Sequence, residues 1–264
     1  MPVEREPVQI SAANPGPMTG AGNNTWLLDG PEPALIDAGV GAAAHLDALR
    51  QHLGSRPLAR LLVTHGHSDH ASGVPALLAH WPGLEVYKWP ASNDAPSVPW
   101  RPLADGMHLQ AGTRPLEVVY TPGHALDHVC FHDAERRELF TGDLLIQGTT
   151  VLIPAGRGGH LGDYLASLAR VGALEPVRAF PGHGPVIDRP LDLIATYVEH
   201  RRQRERQVQA CLDEGLSDPD AIVDRIYSGL DPTLRMAARL TIDAHLVKIR
   251  EDAAAGPDSP AAPR

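Results

Sequence analysis

Short apolar runs that stop at a polar turn recur through the first two-thirds of the chain. The segments "TWLLDG", "PALIDAG", "ARLLVTH" and "LEVVYTPG" are of this kind and predict short buried strands. "HVCFHDAERRELFTGD" has two such runs around a charged tip and predicts a hairpin. "AAAHLDALRQHL" and "GDYLASLARVGAL" have the apolar spacing of helices. This alternation predicts an α/β sandwich whose sheets carry helices on their outer faces.

The pattern changes after about residue 190, where long helical patterns replace the strands. "LDLIATYVEHRRQRERQVQACLDEG", "DPDAIVDRIYSG" and "DPTLRMAARLTIDAHLVKIRED" each predict a helix. The terminal "AAAGPDSPAAPR" lacks the apolar content that packing requires. We therefore predict a domain over residues 1–190 that carries the chemistry, a helical region over 191–252, and a disordered tail over 253–264.

Composition narrows the class of protein without choosing a function. The 264 residues are 43% hydrophobic and 21% charged, which is ordinary for a globular protein, and the net charge of -9 argues against binding to duplex DNA. Two cysteines, Cys130 and Cys211, exclude a disulfide scaffold, and Cys130 is expected in the core. No secretory signal or apolar membrane-spanning run is visible. These features predict a cytoplasmic protein that does not bind membranes, and they leave the oligomeric state open.

The segment "LLVTHGHSDHASG" concentrates the candidate chemistry. His65, His67, Asp69 and His70 follow directly after an apolar strand. The alternate residues His65 and His67 can converge on one metal ion, while Asp69 and His70 turn toward a second position. Imidazole nitrogen and carboxylate oxygen suit Zn²⁺, with Mn²⁺ or Fe²⁺ as alternatives.

Three other strands also end at a candidate ligand. They are "VVYTPGH" with His124, "ELFTGD" with Asp143, and "VRAFPGH" with His183. Together with the first cluster they supply enough donors for two metal ions and leave room for water. A purely structural zinc site closes with four ligands, so this larger set favours a catalytic centre with two Zn²⁺ per chain.

At these positions the sequence resembles the metallo-β-lactamase superfamily, whose signature "THGHSDH" matches at every ligand position. Over roughly residues 8 to 190, the resemblance implies an αββα sandwich with a metal site along one edge of its two sheets. It implies that Asp143 bridges the two metals and that Asp37 in "LIDAG" supports the site through hydrogen bonds. The implied ligands are His65, His67 and His124 for the first metal, and Asp69, His70 and His183 for the second.

Three further segments are similar to the beta-lactamase-like-protein-two group: "NPGPMTGAGNNTWLL", "FPGHGPVI" and "YVEHRRQRERQV". That group has a C-terminal winged-helix-like region, and its mitochondrial animal member is an endoribonuclease on single-stranded RNA. No wing hairpin is visible after the last predicted helix here. The best-known zinc β-lactamases have Cys or Ser where Asp143 stands. The complete ligand set of this chain instead resembles that of glyoxalase II, ribonuclease Z and certain lactonases.

Several other residues are candidates for supporting or substrate-binding roles. His128 is either a ligand or, as we favour, a supporting histidine. His160 is expected either at the substrate mouth or in an exposed loop, and Thr149 and Thr150 either contact substrate or belong to a strand. The "RRQRER" run is either a solvated helix face or an RNA-binding strip formed by Arg201, Arg202, Arg204 and Arg206.

These features predict a dinuclear zinc hydrolase that attacks its substrate with a metal-bridging hydroxide. Asp143 would hold the metals together, and Asp69 would orient the hydroxide. The favoured substrate is single-stranded RNA, cleaved at a phosphodiester. The alternative enzyme hydrolyses a small carbonyl ester: a thioester, a lactone or, less favoured, a β-lactam. The third hypothesis is a non-catalytic, metal-stabilised binding module.

Overall fold

Two β-sheets form the centre of the protein, whose structure, a computed structural model, describes residues 6–16, 19–92 and 94–255. The first sheet has the strand order β1-β2-β3-β4-β5-β6 and the second has the order β11-β10-β9-β8-β7. Strands of the first are β1 (Val8–Ser11), β2 (Asn24–Leu28), β3 (Ala34–Ile36), β4 (Arg60–Leu62), β5 (Glu85–Lys88) and β6 (Trp100–Pro102). Strands of the second are β7 (His108–Ala111), β8 (Arg114–Tyr120), β9 (Val129–Asp133), β10 (Glu138–Gly142) and β11 (Arg178–Pro181).

Helices cover both sheets and continue into a C-terminal region. The helices are α1 (Ala43–Leu53), α2 (Ser68–Ala71), α3 (Val74–His80), α4 (Leu161–Ala173), α5 (Pro190–Asp213), α6 (Pro219–Ile226) and α7 (Arg235–Ala255). A single 3₁₀ turn, Pro232–Leu234, leads into α7. In the part of the chain that is described, no helix is long and apolar enough to cross a bilayer.

Buried apolar clusters define the layers. Trp26 and Ile36 of one sheet pack with Phe131, Phe140 and Phe180 of the other. A second cluster joins α1 and α3 to the outer face of the first sheet, and a third joins α4 and α5 to the outer face of the second. The predicted αββα sandwich is confirmed.

Helix α5 belongs to two packing units. Its residues Ile194 and Tyr197 lie in the cluster on the second sheet, whereas Val208 and Cys211 pack with α6 and α7. The predicted division at residue 190 therefore falls at the start of a helix that contributes to both parts, and we retain it as a proposal.

Two local features concern a short strand and the end of the last helix. The Pro-rich stretch after β5 contains β6, which pairs in parallel with β5. Pro102 is tolerated there because β6 is an edge strand. The predicted tail begins too early, since α7 continues through the helix-favouring alanines 253–255. The rest of that tail, 256–264, lies outside the described residues.

Candidate metal centre

The seven predicted ligands all follow the C-terminal ends of strands, and the fold brings these ends to one place. The two sheets both contribute, because β4 belongs to the first sheet and β8, β10 and β11 belong to the second. His65 and His67 follow β4, Asp69 and His70 lie on the short α2 behind them, His124 follows β8, Asp143 follows β10, and His183 follows β11.

The residues fall into two groups of converging donor atoms. The first comprises His65, His67, His124 and Asp143, and the second comprises Asp69, His70 and His183, with the donor atoms of each group within 4.8 Å of one another. In the first group, His67 Nδ1 lies 2.9 Å from His65 Nε2 and 2.9 Å from His124 Nε2.

Asp143 lies between the groups and turns a different oxygen toward each. Its Oδ2 is 3.5 Å from His124 Nε2 in the first group. Its Oδ1 is 3.3 Å from His70 Nε2 and 3.4 Å from His183 Nε2 in the second group. This is the arrangement that a carboxylate shared by two cations requires.

Hydrogen bonds on the far side of three rings, those of His65, His70 and His124, direct their other nitrogens into the cluster. His124 Nδ1 donates to the Leu152 carbonyl at 2.8 Å, which leaves the Nε2 lone pair free. His70 Nδ1 lies 2.7 Å from Asp37 Oδ2. His65 Nδ1 lies 3.1 Å from Thr64 Oγ1, whose hydroxyl donates in turn to Asp37. Such partners fix the tautomer and orientation of metal-binding histidines.

The donor set fits divalent cations. A ring nitrogen has one proton or one lone pair, so His67 Nδ1 satisfies only one of its two nitrogen neighbours at 2.9 Å. Asp143 Oδ1 is buried and has no hydrogen-bond partner among the described residues. Imidazole nitrogens and carboxylate oxygens in this ratio suit zinc or iron, and buried donors without protein partners are what a cation would satisfy.

The direction of the pKa shift differs between histidines of the first group and histidines of the second. Burial holds the pKa of His65 well below its usual range and also lowers the pKa of His67. Burial lowers the pKa of His183 too, but the neighbouring carboxylates of Asp143 and Asp69 outweigh it and raise that pKa to about 9. At His70, burial again lowers the pKa. The carboxylates of Asp143 and Asp37 outweigh burial, and the pKa of His70 rises well above the usual range. The second group therefore attracts positive charge.

Asn23 is a site residue that the sequence analysis missed. Its Nδ2 donates to Asp69 Oδ2 at 3.0 Å and lies 3.1 Å from His70 Nε2 and 3.4 Å from His183 Nε2. The side chain thus touches every member of the second group. The only signal was its place in the Gly-rich segment "GAGNNTW" before β2.

The histidine candidates outside the ligand set support structure. His128 is fully buried, and burial lowers its pKa to about 3, so the ring is neutral. Its Nε2 accepts from the Asp143 N–H at 3.1 Å and its Nδ1 donates to Thr121 Oγ1, which positions the backbone of Asp143. The expectation that His160 lines the substrate mouth is corrected, because this residue caps α4 and its Nε2 lies 2.6 Å from Glu251 on α7.

A cavity of about 540 Å³ opens over the cluster. The candidates Thr149 and Thr150 line it, in the loop that follows β10. The wall opposite the cluster comes from the C-terminal region and is mostly apolar, with Leu230, Leu234 and Ala238. We call this space the apolar cavity.

Helix α5 holds the loop that carries the two threonines. Tyr197 Oη lies 2.6 Å from the Ile146 carbonyl and 2.8 Å from the Thr149 carbonyl. Arg201 donates to the Val151 carbonyl and stacks over Tyr164. Because Arg201 is only 2% exposed, the hypothesis that it contacts phosphate is wrong, and it is not part of a solvated helix face either.

Two other arginines of the predicted strip also have protein partners. Arg204 stacks over the Tyr227 ring at 4.2 Å, and Arg206 pairs with Glu199 at 2.8 Å. Only Arg202 remains exposed without an ion pair to another described residue. The arginines of this run therefore do not form a continuous basic face.

The comparisons with known proteins agree with the fold and the donor set. The family model of the metallo-beta-lactamase superfamily matches residues 18–183, and that of the beta-lactamase associated winged helix domain matches residues 219–254. The chain belongs to the metallo-beta-lactamase superfamily and is a hydrolase. The predicted winged-helix-like C-terminal region is confirmed, although the described residues after β11 contain helices and no wing strands.

Curated relatives include proteins from animals and fungi. The "Beta-lactamase-like protein 2 homolog" of Caenorhabditis elegans is 31% identical over 92% of this chain and 84% of its own length. The "Atrochrysone carboxyl ACP thioesterase" of Aspergillus chevalieri is 36% identical over 78% of this chain and 66% of its own. The match to "Lactamase-like protein vrtG" of Penicillium aethiopicum, also 36% identical, covers 77% of this chain but only 65% of that protein.

Solved structures give the same fold. A metallo-beta-lactamase family protein from Thermus thermophilus has a TM-score of 0.75, with 24% identity over 96% of each chain. TTHA1623, solved in a di-iron-bound form, is 32% identical over 73% of this chain and 98% of its own, with a TM-score of 0.58. A relative of this chain therefore binds two metal ions.

Proposed function

We propose that the chain is a two-metal hydrolase of thioesters or related carbonyl esters whose acyl group is apolar. In this proposal His65, His67 and His124 would hold one ion, and the second group would hold the other. Asp143 would be shared by the two. Zinc is the proposed metal, with iron(II) and manganese(II) as alternatives. The cytoplasm remains the proposed location.

The metal ions, when bound, would supply Lewis acidity and an activated water. The protein's own residues would fix the geometry. Asp69 is ionised: burial opposes this, but His183, His70 and Asn23 hold its pKa below the usual range. Its side chain is 24% exposed, so the carboxylate faces the apolar cavity and can accept a proton from water there. His128 and Asp37 would keep Asp143 and His70 in place.

The apolar cavity is the observation that carries the choice of substrate. Its floor is the metal cluster, and Leu230, Leu234 and Ala238 form much of the facing wall. Burial of an apolar acyl chain there would be favourable by about 25 cal/mol per Å². A polyanionic RNA strand would instead meet apolar side chains, and the net charge of -9 would repel it. The thioesterase among the relatives supports the same choice.

The test compares substrates on zinc-loaded protein. We expect decanoyl-N-acetylcysteamine to be hydrolysed with higher kcat/KM than the acetyl thioester, a lactone, a chromogenic cephalosporin or labelled single-stranded RNA. Cleavage of RNA without cleavage of either thioester would overturn the proposal.

A pair of variants links the preference to the cavity. Leu234→Asn, in the cavity wall, should raise KM for the decanoyl substrate roughly tenfold because a polar amide replaces part of the apolar wall. Met236→Asn is the control, since Met236 is 75% exposed and does not line the cavity. Equal effects of the two changes would contradict the assignment of the wall.

Cleavage of single-stranded RNA is the second candidate. It is favoured by the match over 92% of the chain to a beta-lactamase-like protein 2 homolog, because the sequence resembles that group in its Gly-rich and helical segments as well. Its support is weaker, since three of the four arginines proposed for RNA contact have protein partners.

A further inference from the structure

A second cavity lies on the other side of His67. It has a volume of about 610 Å³, and among the described residues His67 alone lines both it and the apolar cavity. A substrate whose scissile bond lies at the cluster can therefore extend in two directions. We call this second space the arm cleft.

An aromatic pair forms one wall of the arm cleft. The rings of Trp89 and Tyr120 stack with centroids 4.1 Å apart and an interplanar angle of 10°. Tyr120 Oη donates to the Leu126 carbonyl at 2.8 Å, and Leu126, which is 62% exposed, lines the same cleft. These surfaces suit a narrow, extended chain with apolar and amide segments.

The arm cleft also contains a cation that pairs with no residue in the described part of the chain. Among the described residues that line it, the charged ones are Asp127 and Arg157. Lys88, which is only 3% exposed, pairs with Asp127 at 2.7 Å. Arg157 is exposed, and its guanidinium forms no hydrogen bond or ion pair to any residue within the described ranges. Gly156 and Gly158 on either side have φ values of +77° and +91°, which place Arg157 at the tip of a tight loop.

We infer that the arm cleft binds the leaving-group arm of the substrate and that Arg157 pairs with a phosphate ester on that arm. The inference rests on the proposed function, which places the acyl group in the apolar cavity and so sets the direction of the substrate.

In hydrolysis, water oxygen bonds to the carbonyl carbon, the C–S bond breaks, one proton of the water ends on the thiol sulfur and the other ionises from the acid. The released thiol then carries the phosphate. A free coenzyme thiol and a carrier-protein arm share this chemistry.

Binding of the thiol product tests the inference without requiring hydrolysis. The ligands are 4′-phosphopantetheine and pantetheine, which differ only in the phosphate and present the same thiol to the metal cluster. With zinc-loaded full-length protein, calorimetry should give a Kd for 4′-phosphopantetheine roughly tenfold lower than for pantetheine. Arg157→Ala should abolish that difference and leave pantetheine binding unchanged, while Arg157→Lys should restore part of it.

Arg202→Ala is the matched control, because Arg202 is exposed but does not line the arm cleft. Equal affinity of the two ligands for the unmodified protein, or a phosphate preference that persists in Arg157→Ala, would overturn the inference. A coenzyme A titration separates the sources: tighter binding than 4′-phosphopantetheine favours the free coenzyme, and equal binding favours an arm held by a carrier protein. Absence of thioester hydrolysis would refute the proposed function alone, because this readout is binding.

Discussion

Asp37 Oδ2 lies 2.7 Å from His70 Nδ1, and both side chains are buried. The other oxygen of the same carboxylate accepts the Thr64 N–H at 2.8 Å, immediately before the first ligand of the cluster. Asp37 therefore connects the end of β3 to both groups of donors. Its backbone has φ +63°, a left-handed conformation that non-glycine residues rarely adopt. The fold holds this residue in an uncommon conformation, and the carboxylate keeps His70 Nε2 directed at Asp143.

Asp37→Asn tests this connection. Asparagine tolerates the left-handed backbone, so the fold should persist, but a neutral amide orients His70 less strongly. We expect the weaker-binding metal to lose affinity by about 10–100-fold, the range for loss of a residue that orients a metal ligand. Competition with a chelator at known free zinc gives the measurement. Unchanged affinity for both ions would mean that Thr64 and the backbone suffice to hold the site.

Asp143→Ala removes the residue that faces both groups. We expect metal content to fall toward one ion per chain and turnover to fall by more than roughly 10²-fold, because a shared ligand should matter more than a residue that only orients one. Elemental analysis and initial rates measure the two effects. Cys130→Ser is the control: that thiol is buried, 3.4 Å from Thr121 Oγ1, and not part of either donor group. Turnover near the unmodified level in Asp143→Ala would refute the bridging role.

The ligand positions were predictable because each follows a strand within its own short segment. His124, Asp143 and His183 each come after an apolar run and a turn, and such strand ends meet at one edge in this fold. Asn23 was not predictable in this way, since its neighbour Asn24 has the same chemistry. The Asn24 amide donates to the carbonyls of Pro181 and Gly184, whereas the Asn23 amide donates to Asp69 of the second donor group. Only the tertiary packing of β2 against β11 distinguishes the two.

The arginine run illustrates a second limit of sequence-based prediction. Arg201 and Arg202 are consecutive, so they point about 100° apart on the helix, and one is buried while the other is exposed. Which of the two arginines is buried depends on the loop that follows β10, because Arg201 donates to the Val151 carbonyl some fifty positions earlier in the chain. The wall of the apolar cavity was unpredictable for the same reason, because it is formed by residues from the C-terminal region that pack over the cluster.

Gly182→Ala tests how closely the cluster is packed. A Cβ at this position would lie 2.7 Å from His70 Cε1 and 2.8 Å from Asp143 Oδ1, so both donors would have to move. We expect turnover to fall about 10²-fold, as for an ångström-scale misplacement of reacting groups. The free energy of unfolding should fall by about 1–3 kcal/mol through overpacking.

Gly83→Ala is the matched control for that change. A Cβ at Gly83 would meet nothing within 4 Å, and the residue is not in the left-handed region. Both variants should be measured for turnover, metal content and denaturant unfolding. If Gly182→Ala and Gly83→Ala behave alike, the space beside His70 and Asp143 is not limiting.

Substitutions in α5 distinguish a structural arginine from a nucleic-acid contact. Arg201→Ala should lower the free energy of unfolding by about 1–3 kcal/mol, because the buried Val151 carbonyl loses its donor. Arg202→Ala combined with Arg206→Ala should change it by less than about 0.5 kcal/mol, as is usual for exposed positions.

If these exposed arginines bind single-stranded RNA, the double variant should flatten the slope of log affinity against log salt by roughly 0.7 for each phosphate no longer neutralised. Because the net charge is -9 and Arg206 is already paired with Glu199 at 2.8 Å, we expect no measurable RNA affinity at low salt. Tight RNA binding that these two changes weaken would instead favour the RNA hydrolase over the thioester hydrolase.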